Sequence, residues 1–353
     1  MTTWKKEILQ RENGEFAEMQ VPVLISASRS TDIPAFYCDW FFHRLKVGYS
    51  AWTNPFNGVR SYVSYKNTRF IVFWSKNPKP LLAHLDELRM RNIKCYVQYT
   101  LNDYEDEKLE RGVPSLTERI DTFKKLVAEL GKGGVVWRFD PLILTDKIDE
   151  NLLLNKIEKL GEQLKNYTEK LVFSFVDVSN YKKVEKNLQT NNISASDWTL
   201  DQMSSFARKL VELNRGKGWN LKLATCGEAA TFEGIEHNHC IDDELIIRRA
   251  YNDKELMSFL KAKIYTLSSE DLFGEVEPIP DDAIMLGNGF YVIRGDNKDK
   301  GQRIYCGCMK SKDIGQYDTC IHSCEYCYAN TSKKIAQINY EKHKLHPLDE
   351  SII

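Results

Sequence analysis

Neither sign of charge is in excess in this chain: 49 Lys and Arg stand against 50 Asp and Glu over 353 residues, a formal net charge of −1. Such a balance gives no global positive field to draw the protein to nucleic acid or anionic lipid, although a local basic groove is compatible with it. Long apolar runs are absent too. None approaches the ~20 residues that a spanning helix needs, and the opening MTTWKKEILQRENGEF has no apolar core of a secretory signal. A soluble, cytosolic protein with no membrane partner is therefore expected. There is no internal repeat, no low-complexity segment and no glycine-rich phosphate loop. What is present is ordinary globular composition, 42% hydrophobic and 28% charged, at a length that suits one large domain or two modest ones. Such a chain buries a large core without disulfide staples.

Short β-rich runs alternate with amphipathic helices. The strand candidates are VLISAS (23–28), YSAWT (49–53), FIVFWS (70–75), CYVQYTL (95–101), VVWRFD (135–140), LVFSFVD (171–177) and LKLATC (221–226). Several are apolar on both faces, as buried parallel strands are. Between them, Ser115 and Glu118 announce a helix carrying Ile120, Phe123 and Leu126, and Thr199 and Gln202 announce one carrying Phe206 and Leu210. The series predicts an α/β fold, a TIM-like (β/α) barrel, complete or partial; a doubly wound open sheet is the alternative. The pattern breaks near Leu245, which divides the chain into a barrel body over 1–244, an insertion or small subdomain over 245–303 and a C-terminal cysteine loop with a closing helix over 304–353. Within the middle part, KELMSFLKAKIYTL reads as helical, EVEPIPDDA as an acidic loop and FYVIR as a strand.

Nine cysteines are placed unevenly, five of them between Cys306 and Cys327. In a reducing compartment, clustered cysteines more often hold metal or do chemistry than form disulfides. Cys320, Cys324 and Cys327 make C-x3-C-x2-C with Tyr326 just before the last cysteine. Three thiolates on one compact loop can each ligate one iron of a cuboidal 4Fe–4S cluster. The fourth iron is then free to chelate S-adenosylmethionine (SAM), whose sulfonium is cleaved on reduction to a 5′-deoxyadenosyl radical. The alternative is a structural zinc site with a fourth ligand from Cys306, Cys308 or His322. Cys226, Cys240, Cys306 and Cys308 are enough for a second iron–sulfur cluster or a zinc, and His237 and His239 keep a mixed zinc site in play. Cys38 and Cys95 read as buried thiols.

This motif resembles that of the radical SAM superfamily, where it normally follows the first barrel strand. The segments ISASRSTDIPAFY, FWSKNP, WRFDP, ATCGE, GIEHNHCID and CGCMKSKDIGQYDTCIHSCEYCYAN, spread over nearly the whole chain, resemble a widespread uncharacterised prokaryotic family described as radical-SAM-like, with its cluster motif at the C-terminal end. The resemblance implies a circularly permuted barrel in which the motif's strand comes last and VLISAS takes second place. It also implies Tyr326 as an adenine contact and an electron donor such as flavodoxin or ferredoxin. The Gly-Gly-Glu segment of many radical SAM enzymes has no match.

Polar residues where strands finish are candidates for binding SAM or substrate: Arg29 and Asp32, Ser75, Lys76 and Asn77, Arg138 and Asp140, Asp177, and Glu228. The structural alternative is internal salt bridges, such as Arg138 with Asp177. Three functions remain open on these residues: a radical SAM-type enzyme, an iron–sulfur electron carrier or redox sensor, and a zinc-stabilised protein that binds a nucleic acid or peptide.

Overall fold

Strand residues that are apolar in succession need cover on both faces, and the fold supplies it. The computed structural model describes residues 4–54, 57–267, 278–287 and 289–353. Eight strands form one sheet: β1 (Leu24–Ala27), β2 (Phe70–Ser75), β3 (Lys94–Thr100), β4 (Val135–Leu142), β5 (Lys170–Phe175), β6 (Lys222–Thr225), β7 (Glu236–His237) and β8 (Lys312–Asp313). Every pairing is parallel, in the order β7-β6-β5-β4-β3-β2-β1-β8. From β1 to β7 the spatial order is the chain order, so successive crossovers turn the same way and their helices cover one face. Ile25, Ile71, Phe73, Val97, Trp137 and Phe173 point to that face and pack on Phe41, Leu85, Phe123, Ile157 and Phe206 of the helices. Leu24, Phe70, Val72, Tyr96, Val136 and Val172 point to the other, where Cys240, Ile246, Leu256, Leu260 and Cys308 meet them.

This order has no reversal point, so the sheet is not doubly wound. Nor is a barrel closed: β7 and β8 are the two edges, and no pairing among the described residues joins them. Another expectation also gives way. Tyr49–Thr53 lies outside this sheet, antiparallel to Arg60–Ser64 in a four-stranded sheet with Lys6–Gln10 and Phe16–Gln20. The link to residue 60 is too short for the crossover that a parallel partner requires. Residues Lys263–Thr266 of the expected helix instead pair with Phe290–Ile293, since the helix Lys254–Phe259 stops at Leu260 and the β-prone Ile-Tyr-Thr follows. Residues 275–277 of the acidic loop lie outside the described residues. No helix among the described residues is long and apolar enough to cross a membrane. Cys38 and Cys95 are buried in the helix-covered core.

The last strand lies beside the first. Asp313 of β8 fixes this junction, accepting from the Ser26 and Ser28 hydroxyls (3.0 and 2.9 Å) and from the Arg29 amide (2.9 Å). Its neighbour Lys312 is buried with its ammonium 3.6 Å from the centre of the Trp52 ring. Burial pushes the Lys312 pKa down to about 8. The unfolded chain therefore holds this proton up to about pH 10.5 while the folded chain releases it from about pH 8, and stability from this residue rises across that window. Lys312→Met is expected to remove this rise and to stabilise the protein by about 2 kcal/mol at pH 7, allowing for the lost cation–π contact. Urea denaturation of both proteins at pH 7 and pH 10 checks it.

Candidate iron–sulfur site

Cys320, Cys324 and Cys327 lie on the loop that follows β8, before the helix Lys333–Leu345. Two backbone contacts seat this loop on the segment after β3: Glu325 donates to the Leu109 carbonyl (2.9 Å) and Gly112 to that of His322 (2.8 Å). A Cβ on Gly112 would stand 2.7 Å from the His322 carbonyl oxygen and 2.8 Å from that of Ile321. Neither backbone can yield without parting the two loops, so Gly112→Ala is expected to cost about 1–3 kcal/mol. Thermal unfolding of the variant is the measurement.

A second anchor is Asp32. One carboxylate oxygen caps the helix Ile33–Phe36 at the Ala35 amide (3.0 Å); the other meets the Lys76 amide (2.8 Å) and His322 Nε2 (2.7 Å). His322 Nδ1 lies 3.2 Å from the Gly112 carbonyl. Both its ring nitrogens are thus engaged within the protein, and of the three fourth ligands that the zinc alternative offered, Cys306, Cys308 and His322, His322 has no free ring nitrogen.

Beneath the triad runs a buried charged network. Lys76 Nζ donates to Glu110 (2.6 Å) and reaches the Tyr326 hydroxyl (3.0 Å). Asn102 donates to Glu110 (3.0 Å), to the Asp140 carbonyl (3.1 Å) and to the Tyr326 hydroxyl (3.1 Å), while Tyr326 itself donates to Glu110. Arg119 approaches the second Glu110 oxygen at 3.4 Å. Burial pushes the Glu110 carboxyl up, but Lys76 and Arg119 outweigh it and hold the pKa at about 2. Tyr326, proposed from resemblance as an adenine contact, is buried with its hydroxyl in this network and its ring edge-on to Tyr104. Burial raises the pKa of all three triad thiols, and the Lys76 charge opposes it at Cys324 and Cys327.

The four other clustered cysteines meet on the face of the sheet that the crossover helices leave uncovered. Cys226 and Cys240 Sγ are 3.2 Å apart, Cys308 contacts Cys240, and Cys306 contacts Cys308. Contact with Cys308 lowers the Cys306 pKa to about 6, whereas contact with Cys240 raises that of Cys226. His239 and His237 turn to Asp243 (3.9 Å) and Thr231 (3.3 Å) rather than to a thiol.

Arg138 is buried between the groups. It pairs with Asp140 rather than Asp177, and donates to Gln98 (3.3 Å) and Cys240 Sγ (3.2 Å). Arg29 and Arg138 both stand 5.4 Å from the Trp74 ring centre. The Arg29 carbonyl holds the Tyr328 hydroxyl (2.8 Å), tying it to the triad loop, while its guanidinium feels Cys308, Cys240 and Cys306. Asp140 acts electrostatically on both Lys76 and Cys226, so the two cysteine groups share one end of the sheet. Glu228 accepts from the Phe175 amide (3.1 Å), and burial raises its pKa. Asn77 is half-buried after β2. Asp177 is exposed and bound to Asn180 (2.6 Å), and of the other candidates it acts on Glu228. Glu110, Asn102, Arg119 and Asp313 escaped the sequence reading: Glu110 and Arg119 lie in no motif, and although Asn102 follows the anticipated strand 95–101 and Asp313 lies in the cysteine-rich segment, nothing local marks either side chain's partner.

Among the described residues no three Cys, His, Asp or Glu side chains converge as ligands of a single ion. A cuboidal cluster sets a different requirement, one thiolate per iron. Three thiols on one loop, Cys324 buried and Cys320 and Cys327 half-buried, with a lysine acting on two of them, suit an anionic cluster. No curated protein and no solved structure matches the chain. The family model described as "Domain of unknown function (DUF1848)" matches residues 24–329, which include all eight strands of the parallel sheet and both cysteine groups, and the chain belongs to that family.

Proposed function

We propose that this protein is an iron–sulfur enzyme of radical SAM type, with Cys320, Cys324 and Cys327 each ligating one iron of a 4Fe–4S cluster. The observation that carries the reading is placement: the triad loop leaves the end of β8, and β8 lies parallel beside β1. In the radical SAM superfamily the motif follows the first strand; a circular permutation of a partial barrel, putting that strand last in the chain, accounts for its position here. Chains permute readily where their ends lie close, and here the Arg11 guanidinium, in the N-terminal hairpin, donates to both Glu350 carboxylate oxygens (3.0 and 2.9 Å).

When bound, the cluster would supply an open iron for SAM and an electron for its cleavage. The chain's own residues would do the rest. Arg29, Lys76, Arg138, Asp140 and Glu228 offer charges of both signs to a zwitterionic ligand, and Lys76 balances thiolate charge at Cys324 and Cys327. A small electron-transfer protein such as flavodoxin or ferredoxin is the fitting donor.

Anaerobic purification with iron and sulfide quantitation tests the cluster: about four of each should depend on the triad. Zinc without sulfide would overturn it. Reduction in the presence of SAM then tests the reaction. Formation of 5′-deoxyadenosine supports it; a cluster whose EPR signal ignores SAM makes the protein an electron carrier or sensor.

A further inference from the structure

We propose that Cys226, Cys240, Cys306 and Cys308 form a second metal site, for a single zinc ion held by four thiolates. The elements that bring them together are distant in sequence. Cys226 leaves β6, Cys240 follows β7, and Cys306 and Cys308 precede β8. Gly307 between the last two lets the chain lie against His239, for a Cβ there would stand 2.1 Å from that ring.

The surroundings are built for sulfur anions. Cys240 Sγ accepts from Arg138 (3.2 Å) and Asn238 (3.1 Å), and Cys308 Sγ accepts from the Cys240 and Ile241 amides (3.2 and 3.4 Å). A neutral thiol is a weak acceptor, so four donors aimed at two sulfurs favour thiolates. Arg29 adds a second buried guanidinium facing the group, and its Nη2 has no hydrogen-bond partner in the protein. Four thiols that bind one divalent ion release their protons to solvent and leave a net charge of −2. Two arginines face that charge, Arg138 shared with Asp140 and Arg29 shared with Asp313.

Spacing chooses a single ion over a cluster. With Zn–S near 2.3 Å, a tetrahedron sets neighbouring sulfurs about 3.8 Å apart. The Cys226–Cys240 separation of 3.2 Å is close to that, whereas thiolates on separate irons of a cuboidal cluster must stand further apart. The four now form a row, Cys226–Cys240–Cys308–Cys306, whose inner pair is buried and whose end pair is half-exposed. Closing the tetrahedron requires the end thiols, Cys226 and Cys306, to move in toward the inner pair, because as they stand no three of the four converge on one point. An open depression of about 500 Å³ beside Cys306, His237 and Arg294 provides the entry path.

The test uses the full chain with all three triad cysteines replaced by alanine, so that the first site's success or failure does not enter. About one zinc per chain is expected to remain, and cobalt in its place should give the intense visible absorption of a tetrahedral thiolate. Arg29→Met, which keeps all four ligands, is expected to weaken zinc about 10–100-fold in chelator competition. Cys306→Ser should lose the cobalt thiolate spectrum while far-UV circular dichroism is kept. Absence of zinc from the triad variant overturns the proposal, as does iron with sulfide in it.

Discussion

Cys324→Ala is expected to strip the iron and sulfide that the triad holds, from about four of each per chain to a small residue, with the fold retained. Cys324 is the most constrained of the three. It is 6% exposed, its carbonyl accepts the Cys327 amide (3.3 Å), and its backbone bridges to Glu110. An alanine keeps all of that backbone and removes one sulfur. Two thiolates cannot hold three irons of a cube, so the loss should be far greater than proportional. Cys38→Ala is the matched control, since Cys38 is equally 6% exposed but packs in the helix-covered core. It should lose a little stability and no iron. The readouts are iron and sulfide content, the visible absorption of the cluster, and the thermal midpoint. Equal iron in both variants would remove the triad from consideration.

Much of this site was legible in the sequence because covalent spacing carries it. C-x3-C-x2-C puts three thiols on one loop whatever the rest of the chain does, and LVFSFVD or FIVFWS names a buried strand by its apolar succession. Legibility failed where a residue's role depends on a partner far away in sequence. β7 and β8 are two residues each, Glu-His and Lys-Asp, with no apolar pattern, yet β8 decides where the triad sits. YSAWT has the composition of a central strand, and only the short link to its antiparallel partner keeps it out of the main sheet. Arg138 was recognisable as a charge that must be compensated, but not that Asp140, two residues along the same strand, would compensate it. The closeness of Cys226 to Cys240 follows from β6 and β7 being neighbours, which no local pattern states.

Glu110→Gln is expected to be the most destabilising polar substitution at the site, by about 3–5 kcal/mol. The glutamate is 8% exposed and sits between two cations, with Lys76 at 2.6 Å and Arg119 at 3.4 Å. Glutamine preserves the side chain's size and can still accept one hydrogen bond, so what is lost is the charge. Lys76 and Arg119 would then be buried without the carboxylate they share, Lys76 keeping the electrostatic pull of Asp140, and an undercompensated buried charge costs more than the intact pair contributes. Adding Lys76→Met to Glu110→Gln should therefore restore about 1–3 kcal/mol, a non-additivity that a double-mutant cycle in urea measures directly. Strict additivity would mean that the two charges do not depend on each other. Because the Glu110 carboxylate holds the Tyr326 hydroxyl beside Cys327 and pairs with Lys76, the single variant should loosen the triad loop as well. Iron should then leave it faster under chelation than it leaves the wild type, even at temperatures where both proteins are folded. A variant that is destabilised but gives up iron at the wild-type rate would separate the network's role in folding from any role in seating the cluster.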